Sequence, residues 1–161
     1  MANITQKITP FLWFDKEAEE AANYYTSIFK DSSVNNKAYY GEAGPGPKGS
    51  VMTVAFTLNG QKFTALNGGP LFKFNESVSF VVNCDSQEEV DYYWDKLLEG
   101  GQESQCGWLK DRFGLSWQIV PVRLMELITD KDAAKRNRVI NAMMKMVKIN
   151  IHALEKAAES E

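Results

Sequence analysis

Two stretches of the chain, residues 11–29 and 78–98, follow the same pattern. Each begins with an apolar strand that ends near an aspartate, and each continues as an acidic amphipathic helix that contains a pair of tyrosines. Counted from Asp15 and Asp85, three later positions also match: Glu19 with Glu89, Tyr24 with Trp94 and Ile28 with Leu98. The chain is therefore predicted to contain two similar modules, and this duplication constrains its fold more than any other feature.

In the first half, the predicted strand at residues 8–14 precedes a helix that is capped by Asp15 and runs to about Phe29. In the second half, a strand at residues 78–82 precedes a helix that is capped by Asp85 or Ser86 and ends at Gly100-Gly101. Three short strand candidates follow each helix, at residues 34–40, 51–58 and 61–67 and at residues 103–105, 108–110 and 116–120.

Turn signals support this division. The Asn59-Gly60 pair predicts a two-residue hairpin because both residues tolerate positive φ, and residues 112–114 (Arg-Phe-Gly) predict another turn. Asp111 and Arg112 beside that turn are interpreted as a structural pair or a turn cap. Each half therefore reads βαβββ. The sequence predicts one α+β domain over residues 1–161, with modules at about 5–70 and 75–121 and a C-terminal helical extension at 122–161.

The extension is predicted to be helical throughout. Its apolar positions recur at helical spacing as Ile140, Met144, Val147, Ile151 and Leu154. Such a stripe packs on its own domain or on a second subunit, and its methionines also suit varied partners. Residues 41–49 contain seven Gly, Pro or Ala among nine, and they predict a mobile surface loop that is either a flexible hairpin connection or a lid.

Composition and charge narrow the function classes. The chain has 161 residues, 44% hydrophobic and 24% charged, as in an ordinary soluble globular protein. Its formal net charge of −3 argues against nucleic acid or an anionic membrane as the partner. No apolar run is long enough to span a bilayer and residues 1–5 lack the features of a signal peptide, so we expect a cytoplasmic protein. Cys84 and Cys106 are expected to be reduced structural thiols.

Several catalytic signatures are missing from the sequence. The single histidine, His152, lies near the chain end, so no Ser-His-Asp triad and no Cys-His pair can form within one chain. No zinc spacing, dinucleotide fingerprint or P-loop is present. The glutamates cluster near helix N-termini, where they complement the helix dipole. The catalytic residues are therefore unknown, and the sequence predicts no cofactor.

Three stretches carry a family resemblance: residues 9–15 (Thr-Pro-Phe-Leu-Trp-Phe-Asp), residues 59–70 (Asn-Gly-Gln-Lys-Phe-Thr-Ala-Leu-Asn-Gly-Gly-Pro) and residues 107–119 (Gly-Trp-Leu-Lys-Asp-Arg-Phe-Gly-Leu-Ser-Trp-Gln-Ile). They resemble the PhnB-like branch of the glyoxalase, bleomycin-resistance and dioxygenase superfamily, also called the vicinal oxygen chelate superfamily. The resemblance covers about residues 5–122. It implies two βαβββ modules that form curved mixed sheets around a cavity, usually in a homodimer. Members are often labelled 3-demethylubiquinone-9 3-methyltransferase-like, but no strand here precedes a Gly-rich loop suited to a methyl-donor nucleotide.

The resemblance also indicates where metal-dependent members hold their ion. The corresponding positions lie near Ile8, Ala65, Ser79 and Gln118. Ile8 and Ala65 have no donor atom, whereas a catalytic divalent site needs about three protein ligands. The sequence therefore predicts no metal site.

The same inner face is predicted to bind a small molecule. Strand alternation places Ile8, Pro10, Leu12, Phe14, Phe63, Ala65, Asn67, Ser77, Ser79, Val81, Ser116, Gln118 and Val120 toward the cavity, and Trp13, Phe80, Trp117 and Ile119 under helices. The predicted ligand-binding residues are Asn67, Ser79 and Gln118 as polar contacts, Leu12 and Phe63 as apolar wall, and Trp108, with Tyr40, as stacking faces at the rim. The alternative interpretation of this wall is a plain strand core with locally satisfied polar groups.

Three function hypotheses follow. The favoured one is a metal-independent small-molecule binding protein. The second is an enzyme acting on a small substrate, including the methyl transfer that the family label names. The third is an interaction module that uses the C-terminal helix.

Overall fold

The computed structural model of the chain describes residues 6–160, which form eight strands and five helices. Contacts divide the chain between Lys73 and Phe74 into two compact units. The first contains β1 (Phe11–Phe14), α1 (Ala18–Ile28), β2 (Ser33–Tyr39), β3 (Val51–Leu58) and β4 (Gln61–Asn67). The second contains β5 (Ser79–Cys84), α2 (Gln87–Leu98), β6 (Gln102–Glu103), β7 (Trp108–Lys110), β8 (Ser116–Pro121), α3 (Val122–Ile128), α4 (Ala133–Met143) and α5 (Ile151–Glu159). The predicted α+β fold with two βαβββ modules is confirmed, while the predicted grouping into one domain stays a prediction.

The sheet of the first unit has the strand order β1-β4-β3-β2. β1 pairs with β4 in parallel, and the other two pairings are antiparallel. Helix α1 covers one face of this sheet. On that face the ring centroid of Tyr25 lies 6.3 Å from that of Phe56, and the ring centroid of Phe56 lies 5.4 Å from that of Phe63. These stacked rings fill the core between α1 and the sheet.

Pairing and alternation show which other side chains share this helix-covered face. Phe63, Ala65 and Asn67 are spaced two residues apart along β4, so their side chains point to the same face, and Leu12 lies opposite Ala65. The predicted cavity-side assignment of Leu12, Phe14, Phe63 and Ala65 is therefore wrong, because these side chains pack beneath α1. Trp13 lies on the opposite face, although it was predicted to pack under a helix. Its Nε1 donates to the carbonyl of Gly69 over 2.9 Å.

Helix α1 begins later than predicted, and Asp15 is not its cap. Its N-cap is Glu17, whose side chain makes no capping hydrogen bond. The amide of Ala18 instead donates to Oδ1 of Asn67 at 2.8 Å. A residue 49 positions away in sequence thus satisfies the first free N–H of the helix.

The second unit repeats the arrangement with the strand order β5-β8-β7-β6, in which β5 and β8 are parallel. Helix α2 packs on β5, β7 and β8. Ser86 caps it by accepting from the amide of Glu89, and the Glu89 carboxylate accepts from the amide of Asp85. Trp117 and Ile119 are buried on the sheet. Their burial and the contacts between α2 and β8 agree with the predicted position beneath the helix.

Asp111 organises the turn between β7 and β8. Only 3% of its surface is exposed, and its Oδ1 accepts from the amides of Phe113 and Leu115 at 2.8 and 3.1 Å. Its Oδ2 accepts from Nε1 of Trp117 at 2.9 Å. The prediction of a turn cap is confirmed. The carboxylate also fixes the turn to the indole of the following strand.

The C-terminal extension contains three separate helices, so the prediction of helix throughout is wrong at residues 129–132 and 144–150. The carbonyls of Met146 and Val147 accept from the amides of Cys106 and Gly107 at 2.8 and 2.7 Å. Because these carbonyls bond to another segment, the helix ends before them. The stripe is divided as a result: Leu154 is buried, whereas Met144 is 60% exposed.

The three helices form a core of their own within the second unit. Its buried members are Val120, Leu124, Leu127, Val139, Ile149, Leu154 and Ala158. Val120, predicted on the cavity side, thus packs against the extension. Both cysteines are free, as expected. Among the helices of residues 6–160, none is both long and apolar enough to cross a bilayer.

We expect Asp111→Asn to lower the free energy of unfolding by about 2–3 kcal/mol, because the new amide nitrogen cannot accept from backbone N–H groups or the indole. Chemical denaturation followed by tryptophan fluorescence measures this loss. Asp95→Asn is the matched control, since Asp95 is exposed on α2. Equal stability of the two variants would contradict the anchoring role of Asp111.

Candidate functional site

The face of the second sheet that lies opposite α2 carries a group of polar side chains. Trp108 lies opposite Gln118, and Ser116 lies opposite both Lys110 and Ser79. Side chains at paired positions share a face, so these five residues lie together. Nε2 of Gln118 donates to Oγ of Ser79 at 2.9 Å. The structure thus brings together three of the predicted ligand-binding residues, Ser79, Trp108 and Gln118, and their ligand contacts stay a prediction.

A cavity of about 210 Å³ opens on this face. Trp108, Lys110 and Ser116 line it from the sheet, residues 102–104 line it from the edge strand, and Glu76 lines it from the segment before β5. The volume corresponds to about seven water molecules at 30 Å³ each. It is below the usual range for drug-sized ligands. The cavity therefore suits a small molecule.

Ser116 contributes a buried hydroxyl without a hydrogen-bond partner among the described residues to this wall. It is 1% exposed, and its Oγ has no hydrogen-bond partner within residues 6–160. A buried hydroxyl without a partner costs roughly 1–3 kcal/mol. It gains a bond when a ligand supplies a donor or an acceptor. Alternation indicated the face of Ser116 from the sequence, but it could not show that the hydroxyl lacks a partner.

Lys110 and Glu76 form an ion pair at the mouth of the cavity. The ammonium group of Lys110 lowers the pKa of the Glu76 carboxyl, chiefly through their hydrogen bond. The Lys110 side chain is 35% exposed and that of Glu76 is 63% exposed. Sequence reasoning missed both residues, because 34 positions separate them and Glu76 lies outside any regular element.

The other three predicted residues have structural contacts in the first unit. Leu12 and Phe63 are buried beneath α1. Asn67 uses both ends of its amide: Oδ1 accepts from Ala18, and Nδ2 donates to the carbonyl of Val51 at 3.0 Å. These contacts match the alternative interpretation of a satisfied strand core, and a ligand-binding role for the three residues stays a prediction.

The first unit has a larger cleft, of about 490 Å³, between the start of α1 and the loop at residues 41–50. Tyr40 was predicted to offer a stacking face, but its ring is buried beneath this loop, and a Cβ on Gly46 would overlap it. The Tyr40 hydroxyl donates to the carbonyl of Asn67 at 2.6 Å. The buried polar groups of this cleft already have partners, so it offers a ligand less than the cavity beside Ser116 does.

The positions that correspond to the superfamily metal ligands do not fit a divalent ion. Ile8 is 86% exposed and has no donor, and Ala65 is buried beneath α1. Ser79 and Gln118 supply two neutral oxygens and bond to each other. Within residues 6–160, no group of three or more His, Cys, Asp or Glu side chains is placed to hold a metal. The donor set is too small and too weak for such a site.

Asn67→Ala should lower the free energy of unfolding by about 1–2 kcal/mol, because the first amide of α1 and the carbonyl of Val51 lose their partner. Thermal and chemical denaturation measure the change. Asn83→Ala, at an exposed position of β5, is the control. An unchanged stability for Asn67→Ala would show that its hydrogen bonds do not hold the helix.

Comparison with known proteins supports this architecture. The family model described as 3-demethylubiquinone-9 3-methyltransferase matches residues 6–120, which include both modules. A PhnB protein from Bacillus cereus, provisionally named as the same methyltransferase, is 39% identical with a TM-score of 0.67, and the match covers 73% of this chain and 100% of that one. None of the curated proteins that were compared matches the chain.

Two more distant structures share the fold. A protein from Pseudomonas aeruginosa is 20% identical with a TM-score of 0.61, and the match covers 73% of this chain and 98% of that one. A genomically encoded fosfomycin resistance protein, FosX, from Listeria monocytogenes is 14% identical with a TM-score of 0.57, and the match covers 79% of this chain and 99% of that one. The chain therefore belongs to the 3-demethylubiquinone-9 3-methyltransferase family, the PhnB-like branch of the glyoxalase/bleomycin resistance superfamily.

Proposed function

We propose that this protein binds a small, partly apolar molecule on the open face of its second sheet, without a metal. The observation that supports this most is the buried hydroxyl of Ser116, which has no partner within residues 6–160 and belongs to a residue that lines a cavity of about 210 Å³. A ligand that bonds this hydroxyl recovers free energy that the free protein lacks.

Neighbouring groups on the same sheet face offer further contacts: Trp108 lines the cavity, and Ser79 and Gln118 are paired with its lining residues Ser116 and Trp108. The ring of Trp108 offers an apolar surface. The bond between Gln118 and Ser79 fixes both side chains and leaves the Gln118 carbonyl oxygen and the Ser79 hydroxyl hydrogen available. An apolar wall with a few oriented polar groups is the usual composition of a small-molecule site.

The two other hypotheses have less support. For an enzyme, the described cavity contains no nucleophile paired with a base, and the catalytic residues remain unknown. For an interaction module that uses the C-terminal helices, the apolar residues Val139, Leu154 and Ala158 are already buried in the core of the second unit.

We further propose that the protein is a cytoplasmic homodimer. Exposed apolar side chains in the first unit support a dimer, since Ile8, Phe11, Leu71 and Phe72 are each more than half exposed. We expect native mass spectrometry at micromolar concentration to give the mass of two chains. A single chain across the dilution series would exclude the dimer.

The binding proposal predicts that at least one of three small aromatic probes, benzoate, benzamide and benzylamine, raises the melting temperature of the protein in buffer with EDTA. Ser116→Ala should weaken that stabilisation several-fold, because the ligand loses a hydrogen bond. The same variant should not lower the stability of the free protein, since it removes a hydroxyl that lacks a partner.

Ser27→Ala, at an exposed position of α1, is the matched control and should respond to the probes like the parent protein. Differential scanning fluorimetry followed by isothermal titration calorimetry measures both effects. The proposal fails if no probe stabilises the parent protein, or if Ser116→Ala binds as well as Ser27→Ala does.

A further inference from the structure

We propose that the ligand of this cavity is a small organic acid, whose carboxylate replaces that of Glu76 on the Lys110 ammonium group. This inference rests on the proposed function, because it names the chemical class that binds at the same site. Three features of the wall support it: its single cation, the weakly held carboxylate on that cation, and the buried hydroxyl beside it.

The wall is rich in hydrogen-bond donors. Among the described residues that line the cavity, Lys110 is the only cation, and Ser104 and Ser116 contribute hydroxyls. The Trp108 indole N–H has no partner within residues 6–160. Glu103 also borders the cavity, but it pairs with the buried Leu109, so alternation directs its side chain toward the opposite face. Glu76 is therefore the carboxylate that competes with a ligand.

Glu76 occupies the position that the acid would take. It lies in an irregular segment before β5, and most of its side chain is exposed. Exposed ion pairs contribute little to stability, so the Glu76 carboxylate can turn into water at small cost. The Lys110 ammonium lowers the pKa of the Glu76 carboxyl, chiefly through their hydrogen bond, so Glu76 is a carboxylate at neutral pH. Exchange of one carboxylate for another then leaves the charge on Lys110 compensated.

The hydroxyl of Ser116 makes an oxyanion the best replacement. Ser116 lies directly opposite Lys110 in the ladder, so both side chains face the same part of the cavity. One carboxylate can accept from the ammonium and from the hydroxyl, whereas a neutral amide lacks the charge and an amine is repelled by Lys110. Trp108, two residues from Lys110 on the same face, lies beside the apolar part of the acid.

The test compares benzoate, benzamide and benzylamine by calorimetry on the parent protein and two variants. Benzoate should bind best, and Glu76→Gln should tighten it by about fivefold, because the competing carboxylate is gone. Lys110→Met should weaken the binding of benzoate by about tenfold or more and affect the binding of benzamide little, because only the benzoate anion loses an oppositely charged partner.

Two matched controls make the result specific to this ion pair. Lys37→Met removes an ion-paired lysine of the same 35% exposure, and Glu42→Gln removes a carboxylate that is paired with Lys48. Both should leave benzoate binding unchanged. Thermal unfolding confirms that each variant is folded, and Glu76→Gln still tests the exchange if Lys110→Met is not.

The outcomes separate this inference from the proposed function. Binding of benzamide or benzylamine as strong as that of benzoate, or no gain in Glu76→Gln, would overturn the organic acid and leave a small-molecule site. Absence of binding by all three probes would overturn both.

Discussion

Parallel pairing of the first and last strands of each module determines most of the architecture. Parallel neighbours cannot be joined by a tight turn, so the chain has to cross one face of the sheet between them. Helix α1 makes part of this crossing between β1 and β4, and α2 does so between β5 and β8. The crossed face becomes apolar core. The opposite face is free to carry polar side chains, and in the second unit it does so at the candidate site.

The two modules share this framework but differ in the chemistry of their open faces. In the first unit that face carries Trp13, whose indole is fixed by the carbonyl of Gly69 and by the Phe72 ring at 5.0 Å. In the second unit the corresponding face carries Ser79, Ser116 and Gln118. A helix-covered face has to be apolar in both modules for the sheets to be stable, whereas the open face is free to differ. The duplicated fold thus supports a site in one module without requiring it in the other.

Local chemistry explains which elements the sequence predicted well. The bounds of β3, β4 and β7 agree with prediction, because the Asn59-Gly60 turn and the alternation of side chains define them locally. The prediction of which β1 side chains face the helix was wrong for a physical reason. A period of two residues separates the side chains into two sets but does not show which set meets the helix, and around Trp13 both sets are apolar. The break between α4 and α5 depends on hydrogen bonds from the amides of Cys106 and Gly107, about 40 residues away in sequence. No local pattern reveals these bonds.

The site was predicted less completely than the fold, because its chemistry depends on relations between distant residues. Strand alternation placed Ser79, Ser116 and Gln118 on one face, but the missing partner of Ser116 is a property of the packed structure. Folding alone gives no reason to bury a hydroxyl without a partner, since alanine at the same position avoids that cost. Departures of this kind from a satisfied interior concentrate where a protein binds other molecules. A buried Ser116 beside an exposed, exchangeable ion pair therefore indicates a wall that is completed by a ligand.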